Sequence, residues 1–401
     1  MTSPAPVVVV GGGISGLAAA LALAQAGVNI SLYEQSAKFE EVGAGIGLGP
    51  NAIRRLDAWG VGMALRETAC MPQRLLVQNA DDGRMLGSLP MADAFIASYG
   101  APYLTMHRAD LHDCLWQALQ GQSSAALALN HRLQTATHTT QSVELRFENS
   151  QAVVHAQALL GADGLHSRVR SSVCGDEAPV ASGHWAYRAL LPMQDLPLVW
   201  RKPQIGMWLG PALHVVHYPV KGGEWLNLVV LVEAADSAAT AGWDVARTPA
   251  QTAADLQRAM NTCCRELQDL VSMAPLWRAW CLFDRPPVHS AAQLARGKVA
   301  LLGDAAHPML PYLAQGAGMA LEDAAELEAQ LMHGATAEVP QRLQQFAQAR
   351  CARNARVQNR AVRNGQIFHA TGPMRLGRDM SLRLMGSRLM DVPWLYGYQR
   401  S

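Results

Sequence analysis

The apolar residues of this chain follow strand and helix periods by turns, and the order of the turns is informative. Residues 7–10 are four valines, a run that predicts a strand buried on both faces of a parallel sheet. From Ile14 to about Ala26 almost every residue is apolar or small over a length that suits a buried helix, and a second strand is expected at residues 29–33. A helix should follow at 51–59. The segments 74–78 and 84–86 flank Asp82-Gly83, a hairpin signal. Another helix is predicted over 109–119, then strands near 126–130, 142–147 and 153–160. Residues 183–233 read as strand-rich, with Gly222-Gly223 as a second hairpin turn. Helices return at 249–264, a strand is expected at 299–302, and two long helices at 316–332 and 339–366. Alternating strands and helices at both ends thus enclose a β-rich middle, which predicts an α/β fold whose nucleotide-binding part is interrupted by a β-sheet insertion.

The apolar start invites two other readings, a secretory signal or a membrane helix. A secretory segment begins with basic residues, yet the first Lys or Arg is Lys38. Three consecutive glycines would weaken a spanning helix, and no other segment is long and apolar enough to cross a bilayer. A chain of 401 residues can build two intertwined domains. Its net charge of +1 argues against a general nucleic-acid binder. Seven scattered cysteines without a CxxC pair suit a reducing, cytoplasmic compartment and offer no zinc or disulfide framework.

Three glycine-containing clusters carry the candidate chemistry. Gly11 and Gly13 lie between the first strand and helix, with Ser15 and Gly16 in the helix's first turn. They provide a tight turn, close approach to a pyrophosphate and close helix packing, with the helix N-terminus facing the phosphates. Glu34, at the end of the second strand, is 18 residues beyond Gly16, where a carboxylate can accept from an adenosine ribose. Asp163-Gly164 forms the second cluster. The third, Gly303-Asp304-Ala-Ala-His307-Pro308, follows a predicted strand, and Gln315-Gly316-Ala317-Gly318 then opens a helix whose N–H groups can stabilise negative charge. Five arginines, 350, 353, 356, 360 and 363, fall on one face of the last long helix. The favoured reading pairs them with Glu322, Asp323 and Glu326 on the helix before.

Taken in order, these clusters resemble the class A flavoprotein monooxygenases of the salicylate hydroxylase and 3-hydroxybenzoate 6-hydroxylase type, over nearly the whole chain. The resemblance implies a Rossmann-like FAD domain (1–71, 101–180, 285–366), a β-sheet substrate domain (72–100, 181–284) as in p-hydroxybenzoate hydroxylase, and a helical C-terminal segment (367–401) that caps or dimerises. It implies FAD as cofactor, NADH or NADPH as co-substrate, and a flavin hydroperoxide that hydroxylates a phenolic acid. In this reading Asp304 binds the ribityl chain, Gly316, Ala317 and Gly318 meet the flavin edge, and Asp163 and Gly164 couple the two nucleotides. The segment Gly43-Ala-Gly45-Ile-Gly47-Leu-Gly49 resembles the stretch beside the isoalloxazine, and Arg108 the partner of the FAD phosphates. His214 and Tyr218 match the family's substrate-phenol pair. As residues i and i+4 of a strand they share a face, while His217 points away. Pro308 shapes the dry pocket through its carbonyl. Gly47 and Pro311 stand where relatives carry polar side chains, so both remove polarity from the expected pocket wall, and Tyr312 keeps a hydroxyl nearby. The resemblance further implies a small aromatic substrate, O2, and a homodimer without integral membrane association. Best matched is 3-hydroxybenzoate going to gentisate, with salicylate or 6-hydroxynicotinate as alternatives. An NAD-dependent dehydrogenase and a non-hydroxylating flavoprotein are the other classes the N-terminal fingerprint permits.

Overall fold

The computed structural model describes residues 5–39, 44–175, 177–233, 248–332 and 338–399. Two sheets organise it. The first has six strands in the spatial order Ala295–Arg296, Val299–Leu301, Ala158–Gly161, Val7–Val10, Ile30–Tyr33 and Ala125–Ala128, parallel except for the edge pair. Val7–Val10 pairs with Ile30–Tyr33 on one side and Ala158–Gly161 on the other, so the chain reverses its winding direction there. Such a switch point opens a crevice at the carboxyl ends of the strands. Helix Ile14–Gln25 packs against this sheet and against helices Arg108–Gln120 and Gly316–Leu331. Its residues from Leu17 to Leu23 are fully buried, which explains why its sequence shows no polar face.

The second sheet has seven strands. Arg278–Asp284, Val180–Pro192, Trp225–Glu233, Leu213–Val220 and Gln204–Gly210 run antiparallel, and the hairpin Arg74–Asn79/Met85–Pro90 joins Gln204–Gly210 in parallel. Residues 74–90 therefore complete a sheet whose other strands come from 180–284. The far face of this sheet holds its own core, including Trp185, Tyr187, Trp208, Val215, Leu228 and Val230, covered by helices Pro249–Met260 and Arg265–Ser272.

Sequence and structure part at a few points. The strand expected over 153–160 is two strands, Val154–Ala156 in a three-stranded sheet and Ala158–Gly161 in the six-stranded one, because the chain changes partner at Gln157. Strand Leu133–His138 and helix Arg265–Ser272 were not expected; the helix is nonetheless amphipathic, burying Leu267, Leu270 and Val271 at i, i+3 and i+4. Among the described residues no helix is long and apolar enough to cross a membrane. All seven cysteines are free.

Candidate active site

Four adjacent parallel strands deliver the predicted residues to one crevice. Gly11 follows Val10, Glu34 follows Tyr33, Asp163 follows Gly161 by two residues, and Gly303 follows Leu301 by two. Gly11 has φ +107°, and a Cβ there would lie 2.3 Å from the Ala162 carbonyl oxygen, so only glycine fits. A Cβ on Gly16 would lie 1.8 Å from the Gly11 carbonyl, which is the close helix–loop contact expected. Gly13 instead faces open space, leaving the backbone approachable. The Gly12 N–H donates to Glu34 Oε2 (2.6 Å) and the Ser36 N–H to Glu34 Oε1 (2.8 Å), which holds the carboxylate at the mouth of the loop. Helix Arg108–Gln120 abuts the same loop, its His112 Nε2 lying 2.8 Å from the Gly12 carbonyl.

The other two clusters interlock behind it. Asp163 accepts from the N–H groups of Arg168 (2.7 Å) and Val169 (3.1 Å) and from the Ser167 hydroxyl, closing the turn that begins at Gly164. Burial raises its carboxyl, against those hydrogen bonds. Arg170 then reaches across to the carbonyls of Ala305 and Ala306, both at 3.0 Å. That contact ties the middle cluster to the third one. Asp304 opens onto the crevice, and its depth raises its carboxyl while His307 and Arg108 pull it down. It sits at the start of helix Gly316–Leu331, with Gly316 about its oxygen. Ser15 Oγ, beside Gly303, is buried without a hydrogen-bond partner.

A buried ion network anchors this loop. Asp323 Oδ2 accepts from the Gly303 N–H (3.1 Å) and is 2.6 Å from His307 Nε2, and its Oδ1 accepts from Arg350 Nε (2.7 Å). Glu322 accepts from Arg350 (2.9 Å), Arg353 (2.7 Å) and Asn51 (2.9 Å). Two of the five arginines thus pair with Glu322 and Asp323 as expected, but in the interior: Arg350 is 1% exposed. Arg356 stacks on Trp394, and Glu326 accepts from Gln330.

The substrate side is the inner face of the seven-stranded sheet. Alternation places His214 and Tyr218 on it, whereas His217 turns to the far side and meets Trp200 edge-on. The two faces separate as the strand period requires. The Gly45 N–H donates to Asn227 Oδ1 (2.8 Å) on the neighbouring strand, joining the predicted flavin-side segment to this face; Gly43 lies outside the described residues. Gly47 packs against a tyrosine. A Cβ there would lie 2.4 Å from the Tyr103 hydroxyl, so that hydroxyl occupies the position a larger residue would need. The Pro308 carbonyl accepts from Gln358 Nε2 (2.9 Å), Pro311 is exposed, and Tyr312 is buried with its hydroxyl hydrogen-bonded to His184 Nδ1.

His214 has a partner that sequence spacing did not suggest. Its Nδ1 lies 2.8 Å from Nε2 of His369, 155 residues away. Burial first, then the neighbouring His369 and His184, holds His214 well below the ordinary histidine value. Burial likewise lowers His369 to about 3 and raises Tyr218 to about 12, the latter moderated by Arg188. Arg188 also faces this site. Its guanidinium lies 5.2 Å from the Trp280 ring centroid, and its Nε has no hydrogen-bond partner. His369 and Tyr103 come from separate segments and His184 and Arg188 from the strand Val180–Pro192; they share no motif with His214, so only the fold assembles them.

The crevice suits FAD on its own geometry: an open glycine backbone at Gly13, a placed carboxylate at Glu34, an unpartnered buried hydroxyl at Ser15, and an acid, Asp304, at a helix N-terminus. The comparisons agree. The sequence pattern of the family described as FAD binding domain matches residues 4–361. The 3-hydroxybenzoate 6-hydroxylase of Polaromonas naphthalenivorans is 36% identical over 397 residues, covering 98% of this chain and 96% of its own. A salicylate hydroxylase substrate complex superposes with TM-score 0.82 at 25% identity, covering 100% of this chain and 97% of that one. Klebsiella pneumoniae HpxO, solved with FAD and uric acid, shares the fold at TM-score 0.85 and 23% identity, covering 97% and 95%. With the crevice and these matches together, the chain belongs to the FAD-dependent aromatic monooxygenases, single-component flavoproteins that use NAD(P)H as co-substrate.

Proposed function

We propose that this enzyme hydroxylates a small phenolic aromatic acid, with 3-hydroxybenzoate as substrate and gentisate as product. The observation that carries the reading is the pair His214 and Tyr218, four residues apart on one strand and both on its inner face, with pKa values displaced in opposite directions. His214 stays neutral and can accept the phenol's proton. Tyr218 keeps its own proton at neutral pH and can donate to the resulting phenolate. A phenolate ring is the stronger carbon nucleophile, and a positioned base of this kind contributes roughly 10²- to 10⁴-fold. Bound FAD supplies hydride acceptance from NAD(P)H and activation of O2. The protein's part is to hold the ring, exclude water and move the proton. Arg188 is the cation for the substrate carboxylate: it lies near enough to Tyr218 to lower that hydroxyl's pKa, and no carboxylate pairs with it among the described residues. Salicylate and 6-hydroxynicotinate are the competing substrates. Free thiols throughout support a cytoplasmic setting, and the exposed Met374, Leu376, Met380 and Leu384 of the C-terminal helix support a homodimer.

The test is oxidation of NADH and NADPH by the FAD-loaded enzyme against hydroxybenzoates and hydroxypyridines, with aromatic product and H2O2 measured together. Gentisate with little peroxide is the expected result. Stimulation by 3-hydroxybenzoate that yields mostly peroxide would assign a different ring to the pocket. Tyr218→Phe should keep FAD and lower coupled hydroxylation, and unchanged coupling would remove Tyr218 from the reaction.

A further inference from the structure

A buried base raises the question of where its proton goes. His214 is 2% exposed and lies on the inner sheet face, where it cannot meet bulk water. Its Nδ1 is hydrogen-bonded to His369 Nε2 at 2.8 Å. His369 is 5% exposed, and its other ring nitrogen, Nδ1, is buried with no hydrogen-bond partner. Yet His369 lines a cavity of about 700 Å³ together with His184, Glu233, Tyr312, Arg285 and Gln366, and Glu233 on that wall is exposed. Ligand atoms of His184, Glu233 and His369 all lie within 4.8 Å of one another. Three polar groups so close around a cavity are a cluster that one water can bridge.

We infer that His214 and His369 form a two-imidazole proton conduit from the substrate phenol to this cavity. The inference rests on the reading of His214 as the phenol's partner. The phenolic O–H breaks and its proton binds His214 Nε2. The proton on His214 Nδ1 passes to His369 Nε2, and the proton on His369 Nδ1 leaves to water, with the Glu233 carboxylate as the nearest anion of the triad. Each ring gains one proton and loses one, so neither is left charged. After hydroxylation a proton returning along the same path to the product phenolate restores both tautomers. The electrostatics favour transit over storage. Burial lowers both rings, and the adjacent His184 and, for His369, Arg378 lower them further, so a cation on either is unstable. The geometry is also specific to the conduit. Tyr312 occupies His184 Nδ1, and the Asn364 side chain holds the Tyr312 carbonyl at 3.0 Å, so the cavity wall is fixed around the exit.

The decisive substitution is His369→Gln. A glutamine amide reaches the position of Nε2 and keeps a hydrogen bond to His214, but it does not take up and release a proton. Holoenzyme would be mixed anaerobically with 3-hydroxybenzoate in weak buffer containing a pH indicator, with phenolate absorbance and flavin absorbance followed together. Wild type should release a proton as the substrate binds. His369→Gln should bind FAD and substrate yet release the proton roughly 10²-fold more slowly or not at all. His369→Ala should be equally slow, and added imidazole, which fits the cavity, should restore release in a saturable way. Release at the wild-type rate in His369→Gln, or absence of imidazole rescue, would overturn the conduit while leaving the hydroxylase reading standing. A wild type stimulated by none of the phenols would sink both.

Discussion

Replacing Arg350 with methionine tests whether the buried ion network holds the Gly303–Pro308 loop in place. The guanidinium serves two carboxylates, but unequally. Glu322 keeps Arg353 on two bonds of 2.7 Å and Asn51 at 2.9 Å after the change. Asp323, 0% exposed, keeps His307, the Gly303 N–H and a longer bond from Asn354 (3.3 Å). The loss is therefore that of one broken buried pair, about 3–5 kcal/mol, rather than two. Unfolding entropy of about 2.1 cal/mol/K per residue over 401 residues amounts to about 0.8 kcal/mol/K, so Tm should fall by about 4–6 °C. The sign with pH is also set. Burial pushes the Asp323 carboxyl up, but His307 and Arg350 outweigh it and hold it well below the usual range. Its stabilisation is thus complete above the ordinary carboxylate range and is lost only as pH falls beneath it. Calorimetry of the apo and FAD-loaded forms at pH 7 measures the shift, and flavin release on dilution measures the loop. Faster release should accompany the lower Tm, because Asp323 carries both Arg350 and the Gly303 amide. An Arg350→Met protein that melts within about 1 °C of wild type and retains flavin equally well would refute the reasoning.

Gly11→Ala should yield a colourless apoprotein on purification, since its Cβ would strike the Ala162 carbonyl at 2.3 Å in a region of φ that alanine avoids; a yellow variant would contradict this. His217, buried with both ring nitrogens unpartnered, has its pKa lowered by burial to about 4. Relative to an unfolded value near 6.5, it is neutral in the fold while the unfolded chain takes up protons, so stability falls by up to about 3 kcal/mol as pH drops from about 6.5 to 4. His217→Leu should remove that part of the acid sensitivity, visible as a flatter Tm–pH curve.

The dinucleotide crevice was legible in the sequence because its parts are local. Gly11, Gly13 and Gly16 sit in one turn, and Glu34 ends the adjacent strand. Asp163 and Gly303 each lie just past a short apolar run, which marks the carboxyl end of a buried strand. What sequence could not supply was the order of those strands, since Val299–Leu301 and Ala158–Gly161 become neighbours only through pairing across some 140 residues. The arginine face was readable as charge pairing, but its burial was not. A helix interior is signalled by apolar residues, and Arg350 is interior through its carboxylates. His214 and Tyr218 were singled out by the family resemblance, and the two-residue strand repeat placed them on one face. His369 was not, because it lies at the end of helix Val339–Phe368, with no periodic relation to the Leu213–Val220 strand.

The pocket wall shows why polarity is harder to read than shape. Gly47 and Pro311 stand where the family resemblance implies polar side chains, and the sequence offers only Tyr312 as a hydroxyl nearby. Gly47 brings in a second one. The missing side chain admits Tyr103, whose hydroxyl would sit 2.4 Å from any Cβ placed there. At Pro311 the ring turns outward and the next residue, Tyr312, turns inward to bind His184. In both places a tyrosine hydroxyl stands near the missing side chain; Tyr312 was legible in the sequence, and Tyr103 was not. Burial raises Tyr103 and Tyr312, so both remain protonated donors at neutral pH. The Tyr312 hydroxyl is engaged with His184, which leaves Tyr103, close to Tyr218, as the neutral donor that favours an anionic ring oxygen, the state that a base at His214 would create.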